Sequence, residues 1–176
     1  MRAGDRADGI YQMVQTAMLG YRLSSKVTVF SGYTRAISYN AGHHVPVEDR
    51  GRQQVTAEIG KLAGGTLSVR LRTEERWRSD GEDTAWRARA QLRWSRPLST
   101  SGHTDIILAH ESFVNINSAD WGPRGGFERM RNIIGVSRPL IPHVRGELSY
   151  INQHGFVRHD EDTSDHALQF ALAYSF

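Results

Sequence analysis

The sequence predicts an all-β protein, an antiparallel up-and-down transmembrane β-barrel with about nine strands in this chain. Three observations predict this fold. Large apolar side chains alternate with small or polar ones, short connections alternate with long ones, and the alternation continues to the final residue, Phe176. Period-two alternation is typical of a strand whose two faces meet different environments. Because lipid-facing and interior residues alternate, membrane barrels show only this weak hydropathy signal.

Nine segments alternate strongly enough to be predicted as strands, and the longest segments without Gly or Pro show no helical period. The predicted strands are 10–23, 26–39, 52–62, 66–78, 84–97, 103–116, 126–140, 143–153 and 165–176. Short turns are predicted at 24–25, 63–65, 98–102 and 141–142, and long polar loops at 40–51, 117–125 and 154–164. Short periplasmic turns and long external loops are typical of outer-membrane barrels.

The amino terminus carries no apolar stretch of the kind found in a signal peptide. We expect residues 1–9 to be the remnant of an extracellular loop and residues 10–176 to form a single barrel domain. Single-chain bacterial barrels have even strand numbers. The sequence therefore predicts one further amino-terminal strand and ten strands in the complete barrel, which favours a truncated start over a processed one but leaves both open.

Composition excludes several classes of protein. Only 39% of the 176 residues are hydrophobic, and no segment approaches the ~20 consecutive apolar residues of a membrane-spanning helix. The absence of cysteine excludes disulfides and thiolate metal sites. Of the 22 basic residues 20 are arginine, and 19 acidic residues are interleaved with them, which argues against a nucleic-acid-binding face. We expect no metal and no cofactor.

Charged side chains share the inward phase of the predicted strands, which keeps them away from lipid. Their predicted members are Arg70, Arg72, Glu74, Arg76, Arg87, Arg89, Arg93, Glu58, Glu111, Arg131, Arg145 and Glu147. A hairpin centred near Gly81 predicts that Glu74 lies close to Arg89. We expect this network to fill a narrow barrel structurally. The alternative is an anion-selective passage, because eight of these residues are arginines and four are glutamates.

Aromatic residues fall near both rims of the predicted barrel in the outward phase. Trp77 and Trp86 lie at the loop side, and the opposite girdle comprises Tyr21, Trp94, Tyr174 and Phe176. The last strand places Leu168, Phe170, Leu172, Tyr174 and Phe176 on one face. This ending resembles the carboxy-terminal signal by which Gram-negative outer-membrane barrels are recognised for assembly. The resemblance implies the barrel assembly machinery as a partner during biogenesis, and outer-membrane lipid and lipopolysaccharide as surroundings.

The sequence gives weaker evidence for a catalytic or metal-binding site than for the fold. His110-Glu111-Ser112 combines a base, a carboxylate and a hydroxyl, but neighbours on a strand point to opposite faces, so His110 and Glu111 do not share a site. We interpret His110 as a girdle residue and predict that the protein is not an enzyme. The acidic and histidine-rich loop 154–166 and the pair His43-His44 are interpreted as solvated loop and not as metal sites.

Five short segments occur in the order seen in a family of uncharacterised Gram-negative outer-membrane β-barrel proteins, a domain of unknown function. They are 70–76 (RLRTEER), 86–89 (WRAR), 110–113 (HESF), 127–132 (FERMRN) and 148–153 (LSYINQ). The chain resembles this family from about Tyr11 onward, and the resemblance implies an outer-membrane location and a barrel fold but no activity.

Together these features predict a non-enzymatic outer-membrane barrel. They do not determine its oligomeric state. Three alternatives remain: a narrow anion channel, a lipid-modifying enzyme of the outer membrane, and a soluble lipocalin-like barrel.

Overall fold

The computed structural model describes residues 2–4, 9–40, 43–98, 103–157 and 161–174, and all regular structure in these ranges is β. Within them, no helix is long and apolar enough to cross a membrane. The strands are β1 (Arg2–Gly4), β2 (Gly9–Arg22), β3 (Val27–Asn40), β4 (His43–Leu62), β5 (Gly65–Arg78), β6 (Ala85–Pro97), β7 (Asp105–Asn115), β8 (Gly126–Ile141), β9 (Val144–Gly155) and β10 (Thr163–Tyr174).

The ten strands form one sheet in which sequence neighbours are spatial neighbours, in the order β1 to β10. The pairing is antiparallel, as in β2 with β3, where the register runs from Gln12 opposite Ser38 to Arg22 opposite Thr28. The all-β, antiparallel, sequential arrangement predicted from the alternation is thus confirmed. The nine long strands correspond to the nine predicted ones, and β1 is a three-residue addition.

The short connections owe their geometry to local chemistry. Ala63 and Gly64 between β4 and β5 have φ values of 49° and 76°. Positive φ at both central residues marks a type I′ turn, whose twist matches that of the strands it joins. In the turn between β2 and β3, Ser24 Oγ accepts hydrogen bonds from the backbone N–H groups of Lys26 and Val27, at 3.2 and 3.1 Å.

The predicted long loop at 40–51 is wrong, because β4 already begins at His43 and is 20 residues long. Its first half is held by backbone pairing: Ser79 N–H donates to Val47 O at 3.0 Å, and Val47 N–H donates to Ser79 Oγ at 3.0 Å. Pro46 and the many charges obscured the alternation here. Residues 2–4, predicted to lie in a loop, form β1 against β2.

Backbone contacts divide the chain into two compact units that draw on the same strands. The first comprises residues 1–55, 71–88 and 114–126, and the second comprises residues 56–70, 89–113 and 127–176. Each has a small apolar centre, which includes Ala36, Ala85 and Trp121 in the first and Ile107 and Phe113 in the second. Among the described residues, ten buried side chains are polar or charged and only five are hydrophobic.

Candidate functional site

The central strands have a buried charged face and an exposed apolar face. On β5, Glu74 and Arg76 are buried, whereas Leu71 is 53% exposed. On β7, Glu111 is buried and Leu108 is exposed. We call these two sides the charged face and the apolar face. This is the reverse of a water-soluble sheet, in which charged side chains are seldom fully buried.

In the first unit, arginines converge on Glu74, whose side chain is fully buried. Arg87 donates to Glu74 Oε2 from Nε at 2.8 Å and from Nη2 at 2.5 Å. Arg52 Nε and Arg72 Nη1 lie 3.3 and 3.7 Å from Glu74 Oε1. Arg72 also donates from Nε to Gln54 Oε1 at 2.9 Å. A buried carboxylate surrounded in this way is compensated by charge-assisted hydrogen bonds.

In the second unit, Glu111 plays the same part. Arg70 Nη2 donates to Glu111 Oε1 at 3.0 Å, Arg89 Nη2 donates to the same atom at 2.8 Å, and Arg131 Nη1 lies 3.9 Å from Oε2. The ring of Phe113 lies beside this cluster, with the Arg89 guanidinium 4.4 Å and the Arg131 guanidinium 5.2 Å from its centroid. The buried aromatic face thus takes part in compensating the arginine charge.

The other predicted charged residues have partners nearer the strand ends. Arg93 Nη2 donates to Glu147 Oε2 at 2.9 Å, and Arg145 Nε donates to Ser137 Oγ at 2.7 Å. Glu58 does not lie in an arginine cluster, since its ion pair is with Lys61, at 3.7 Å.

Near the carboxy-terminal end of β5, Arg76 Nε donates to Glu48 Oε1 at 2.6 Å. Arg145 is further paired with Asp105.

Glu74 is bonded by Arg87, and Arg89 is bonded to Glu111 on β7. The proximity of Glu74 and Arg89 to each other stays a prediction. Both arginines share the inward phase, so phase alone does not identify their hydrogen-bond partners. Those partners depend on the register of the hairpin.

A cluster of loop residues surrounds Trp121 in the first unit. Trp121 is buried, and its Nε1–H donates to Asp83 O at 2.8 Å. The carboxylate of Asp120 accepts the N–H groups of Glu82 at 2.9 Å and Asp83 at 3.1 Å. These backbone donors hold the pKa of Asp120 below its ordinary value. The Arg76 guanidinium lies 5.0 Å from the Trp121 ring centroid.

The predicted girdle residues lie on the surface. Trp77 and Trp86 flank the turn between β5 and β6 and are 39% and 41% exposed. Tyr21 and Tyr174 are exposed at the ends of β2 and β10. Trp94 is half-buried, and its Nε1–H donates to Leu62 O at 2.8 Å. Phe176 lies outside the described residues.

The predicted carboxy-terminal signal lies on β10, an edge strand paired with β9. Phe170 is opposite Leu148, Leu168 is opposite Tyr150, and every residue from Thr163 to Tyr174 is exposed. Leu168, Phe170, Leu172 and Tyr174 are each at least 60% exposed.

The apolar face carries one polar cluster that sequence reasoning found only in part. His110 Nδ1 lies 2.8 Å from Asn132 Oδ1, and His110 Nε2 lies 3.2 Å from Ser112 Oγ. As expected, Glu111 lies on the opposite face from His110. Asn132 was missed because its partner is on a different strand, although both positions share the outward phase. On the charged face, Arg52 and Phe113 were missed because their partners lie on other strands, and Glu48 was missed because it fell in the predicted loop 40–51.

Among the described residues, no group of three or more His, Asp or Glu side chains is placed to hold a metal ion. His154 Nε2 lies 3.2 Å from Asp162 Oδ2, and Asp162 also accepts the Val157 N–H at 3.1 Å. These two contacts hold the pKa of Asp162 below its ordinary value. His159 and the side chains of His43 and His44 lie outside the described residues.

Comparison with known proteins shows the family. Residues 1–164 match the model of the family described as "Protein of unknown function (DUF2490)", and the chain belongs to that family. An uncharacterized protein of Methylorubrum extorquens is 31% identical over 172 residues, a match that covers 97% of this chain and 75% of the relative. Membership of a family of unknown function was predicted from the ordered segments.

Proposed function

We propose that this member of the DUF2490 family is a bacterial outer-membrane β-barrel protein, with its charged face inside and its apolar face toward lipid. The inverted burial supports this proposal above all. Glu74 and Glu111 are 0% and 1% exposed, while Leu71 and Leu108, on the same two strands, are 53% and 43% exposed. Exposed apolar area on this scale marks a surface that meets a partner or a membrane.

Strand length and charge placement favour a membrane over a protein partner. The nine long strands have 11 to 20 residues, enough for the ~9–11 residues that a tilted strand needs to cross the hydrocarbon. A charged side chain on the lipid face would cost ~2–4 kcal/mol at the midplane. Arg70, Arg72 and Arg76 of β5 and Arg87, Arg89 and Arg93 of β6 avoid that cost because they lie on the charged face.

The charged face fills the interior instead of conducting. Each of the two central carboxylates is shared by three arginines, in an interlocking set of ion pairs. Small barrels are just wide enough to be filled by side chains. The excess of arginine over glutamate supports the second candidate, a narrow anion channel. Planar-bilayer recordings distinguish the two, since a filled interior gives no conductance steps.

The carboxy-terminal strand supports assembly in the outer membrane. In β10 large apolar side chains alternate with small ones at Ala167, Ala171 and Ala173, a pattern suited to a lipid-facing edge. Closure of the sheet into a barrel, contact with outer-membrane lipid and lipopolysaccharide, and handling by the barrel assembly machinery all belong to this proposal.

Cell fractionation and gel mobility test the membrane location. We expect the protein in the outer-membrane fraction, soluble only in detergent, with faster migration before boiling than after. Leu71→Arg should prevent this behaviour, because it places a charge on the apolar face, whereas Glu82→Arg in the exposed turn after β5 should not. A protein that folds without detergent would identify the soluble lipocalin-like alternative.

In this proposal the charged face has a structural role and takes no part in chemistry. The charged face does not test the sequence-based prediction that the protein is not an enzyme. The polar cluster on the apolar face argues against that prediction.

A further inference from the structure

His110, Ser112 and Asn132 are polar side chains in contact with each other on the apolar face. His110 and Ser112 are two positions apart on β7 and therefore point to the same side, and Asn132 lies on the neighbouring β8. The distances are 2.8 Å from His110 Nδ1 to Asn132 Oδ1 and 3.2 Å from Nε2 to Ser112 Oγ. In the proposed membrane location this cluster would face hydrocarbon, where polar side chains are costly and mark functional sites.

The contacts match one neutral tautomer of His110, in which Nδ1–H donates to Asn132 Oδ1 and Nε2 presents its lone pair to the Ser112 hydroxyl. A nucleophile, a base and a group that orients the base then follow one another in line, which is the arrangement that activates a serine. An asparagine in the third position serves the same role in Cys-His-Asn hydrolases.

An open groove of about 670 Å³ lies next to this cluster, within the second unit, and His110 and Asn132 line it. The rest of the lining is almost entirely apolar and includes Leu67, Leu92, Leu108 and Ile134. Its size falls in the range of small-molecule sites. An apolar groove lined by His110, the hydrogen-bond partner of Ser112, fits a long acyl chain whose ester group lies beside that pair.

We propose that Ser112, His110 and Asn132 form a serine-hydrolase site that cleaves long-chain acyl esters of bilayer lipids. Ser112 Oγ attacks the ester carbonyl carbon and gives its proton to His110 Nε2. The bond from that carbon to the alcohol oxygen breaks, and the alcohol leaves with the proton. Water then attacks the acyl-serine, its proton passes through Nε2 back to Ser112 Oγ, and a fatty acid is released. Asn132 is a positioning residue that holds the imidazole.

The identity of the substrate as a bilayer lipid rests on the proposed membrane location, whereas the hydrolase chemistry does not. A soluble ester and a phospholipid therefore test different parts of the proposal. The refolded full chain would be assayed in detergent with p-nitrophenyl butyrate and, in mixed micelles, with dioleoylphosphatidylethanolamine, by measuring released p-nitrophenol and released oleate.

We expect hydrolysis of both substrates, and covalent labelling of Ser112 by a fluorophosphonate probe located by mass spectrometry. Ser112→Ala should abolish labelling, and His110→Ala should slow hydrolysis by about 10²–10⁴-fold. Thr73→Ala, which removes another hydroxyl of the apolar face, is the matched control and should leave both unchanged. Circular dichroism and gel mobility establish that each variant is folded.

Asn132 needs a readout that a merely structural residue would not change. Asn132→Ala should lower kcat with little change in KM, and Asn132→Asp should restore the rate. The carboxylate stabilises the imidazolium, so the pH profile of kcat/KM for Asn132→Asp should shift to higher pH.

The outcomes separate the two proposals. A heat-modifiable, detergent-dependent protein that neither reacts with the fluorophosphonate probe nor hydrolyses the esters would support the membrane proposal and overturn the hydrolase proposal. Labelling and activity in a protein that is soluble without detergent support the hydrolase and remove the membrane location. Cleavage of the butyrate ester alone overturns the assignment of a bilayer lipid as substrate. Equal rates for the wild type and Ser112→Ala overturn the site.

Discussion

Arg87 donates two hydrogen bonds to the same oxygen of Glu74, from Nε at 2.8 Å and from Nη2 at 2.5 Å. Both side chains are buried, at 5% and 0% exposure. In a buried setting, an ion pair is strongly favourable only when the geometry is good and the remaining donors and acceptors are satisfied. The second carboxylate oxygen of Glu74 is approached by Arg52 Nε at 3.3 Å and by Arg72 Nη1 at 3.7 Å.

Glu74→Gln should destabilise the protein strongly. The change leaves the guanidinium groups of Arg87, Arg52 and Arg72 without their shared carboxylate, and breaking a buried pair in this way costs about 3–5 kcal/mol. Urea unfolding of the refolded protein in detergent measures this loss. Glu82→Gln, at an exposed carboxylate in the turn after β5, should stay within about 0.5 kcal/mol of the wild type. Equal stability of the two variants would contradict the structural role of the Glu74 cluster.

Phe113→Leu should weaken the Glu111 cluster without removing a charge. The Phe113 ring is 2% exposed and lies 4.4 Å from the Arg89 guanidinium. Leucine loses both packing and the cation–π contact, so we expect a loss of about 1–3 kcal/mol in the free energy of unfolding. Phe127→Leu is the matched control, because Phe127 is half exposed. If Phe127→Leu lowers the free energy of unfolding as much as Phe113→Leu does, the burial of Phe113 and its contact with Arg89 make no special contribution to stability.

Asp120 should make the loop cluster around Trp121 sensitive to acid. The N–H groups of Glu82 and Asp83 hold the pKa of Asp120 below its ordinary value of 3.8. A carboxyl group with a lowered pKa stabilises the folded loop at pH values above 3.8, and this contribution is lost as the pH falls through the lowered pKa. Trp121 fluorescence and hydrogen exchange of the Glu82 and Asp83 amides should therefore change below about pH 3.8.

Asp120→Asn should show the loosened loop already at neutral pH. Glu82→Gln keeps the backbone donor and serves as the control. A wild-type loop whose amides exchange at the same rate at pH 3 and pH 6, after correction for intrinsic rates, would rule out the role of Asp120.

Gly65→Ala should disturb the turn between β4 and β5. A Cβ atom at Gly65 would overlap the indole of Trp94 and come close to the backbone oxygen of Ser95. Trp94 would have to move and lose its hydrogen bond to Leu62 O, at a cost of about 1–3 kcal/mol. A change in Trp94 fluorescence together with a lower urea midpoint would show this.

Gly125→Ala is the control, since a Cβ there meets only ordinary contacts, the nearest at 3.6 Å. If both alanine variants unfold at the wild-type midpoint, the close approach of Gly65 to Trp94 has no energetic consequence.

The sequence predicted the strands well where the alternation was regular and poorly where it was interrupted. The end of β5 at Arg78 and the start of β8 at Gly126 were predicted to the residue. The first half of β4 was missed, because Pro46 and the charges around it resemble a loop while the pairing that forms the strand comes from Ser79, 32 residues away. Local pattern does not contain that information.

The candidate site divides in the same way. The inward phase of Glu74, Glu111 and the arginines of β5 and β6 followed from the sequence. The assignment of partners, such as Arg87 with Glu74 and Arg89 with Glu111, did not. The link between His110 and Asn132 was equally invisible, since the two residues are 22 positions apart and meet only when β7 and β8 are adjacent.

The sequence by itself determined which side chains share a face, because successive residues of a strand point to opposite sides whatever the strand is paired with. Only the tertiary structure decided which of those side chains touch. Contacts such as Arg93 with Glu147, 54 residues apart, depend on strand order and register, and both are set by turns and by pairing across the sheet.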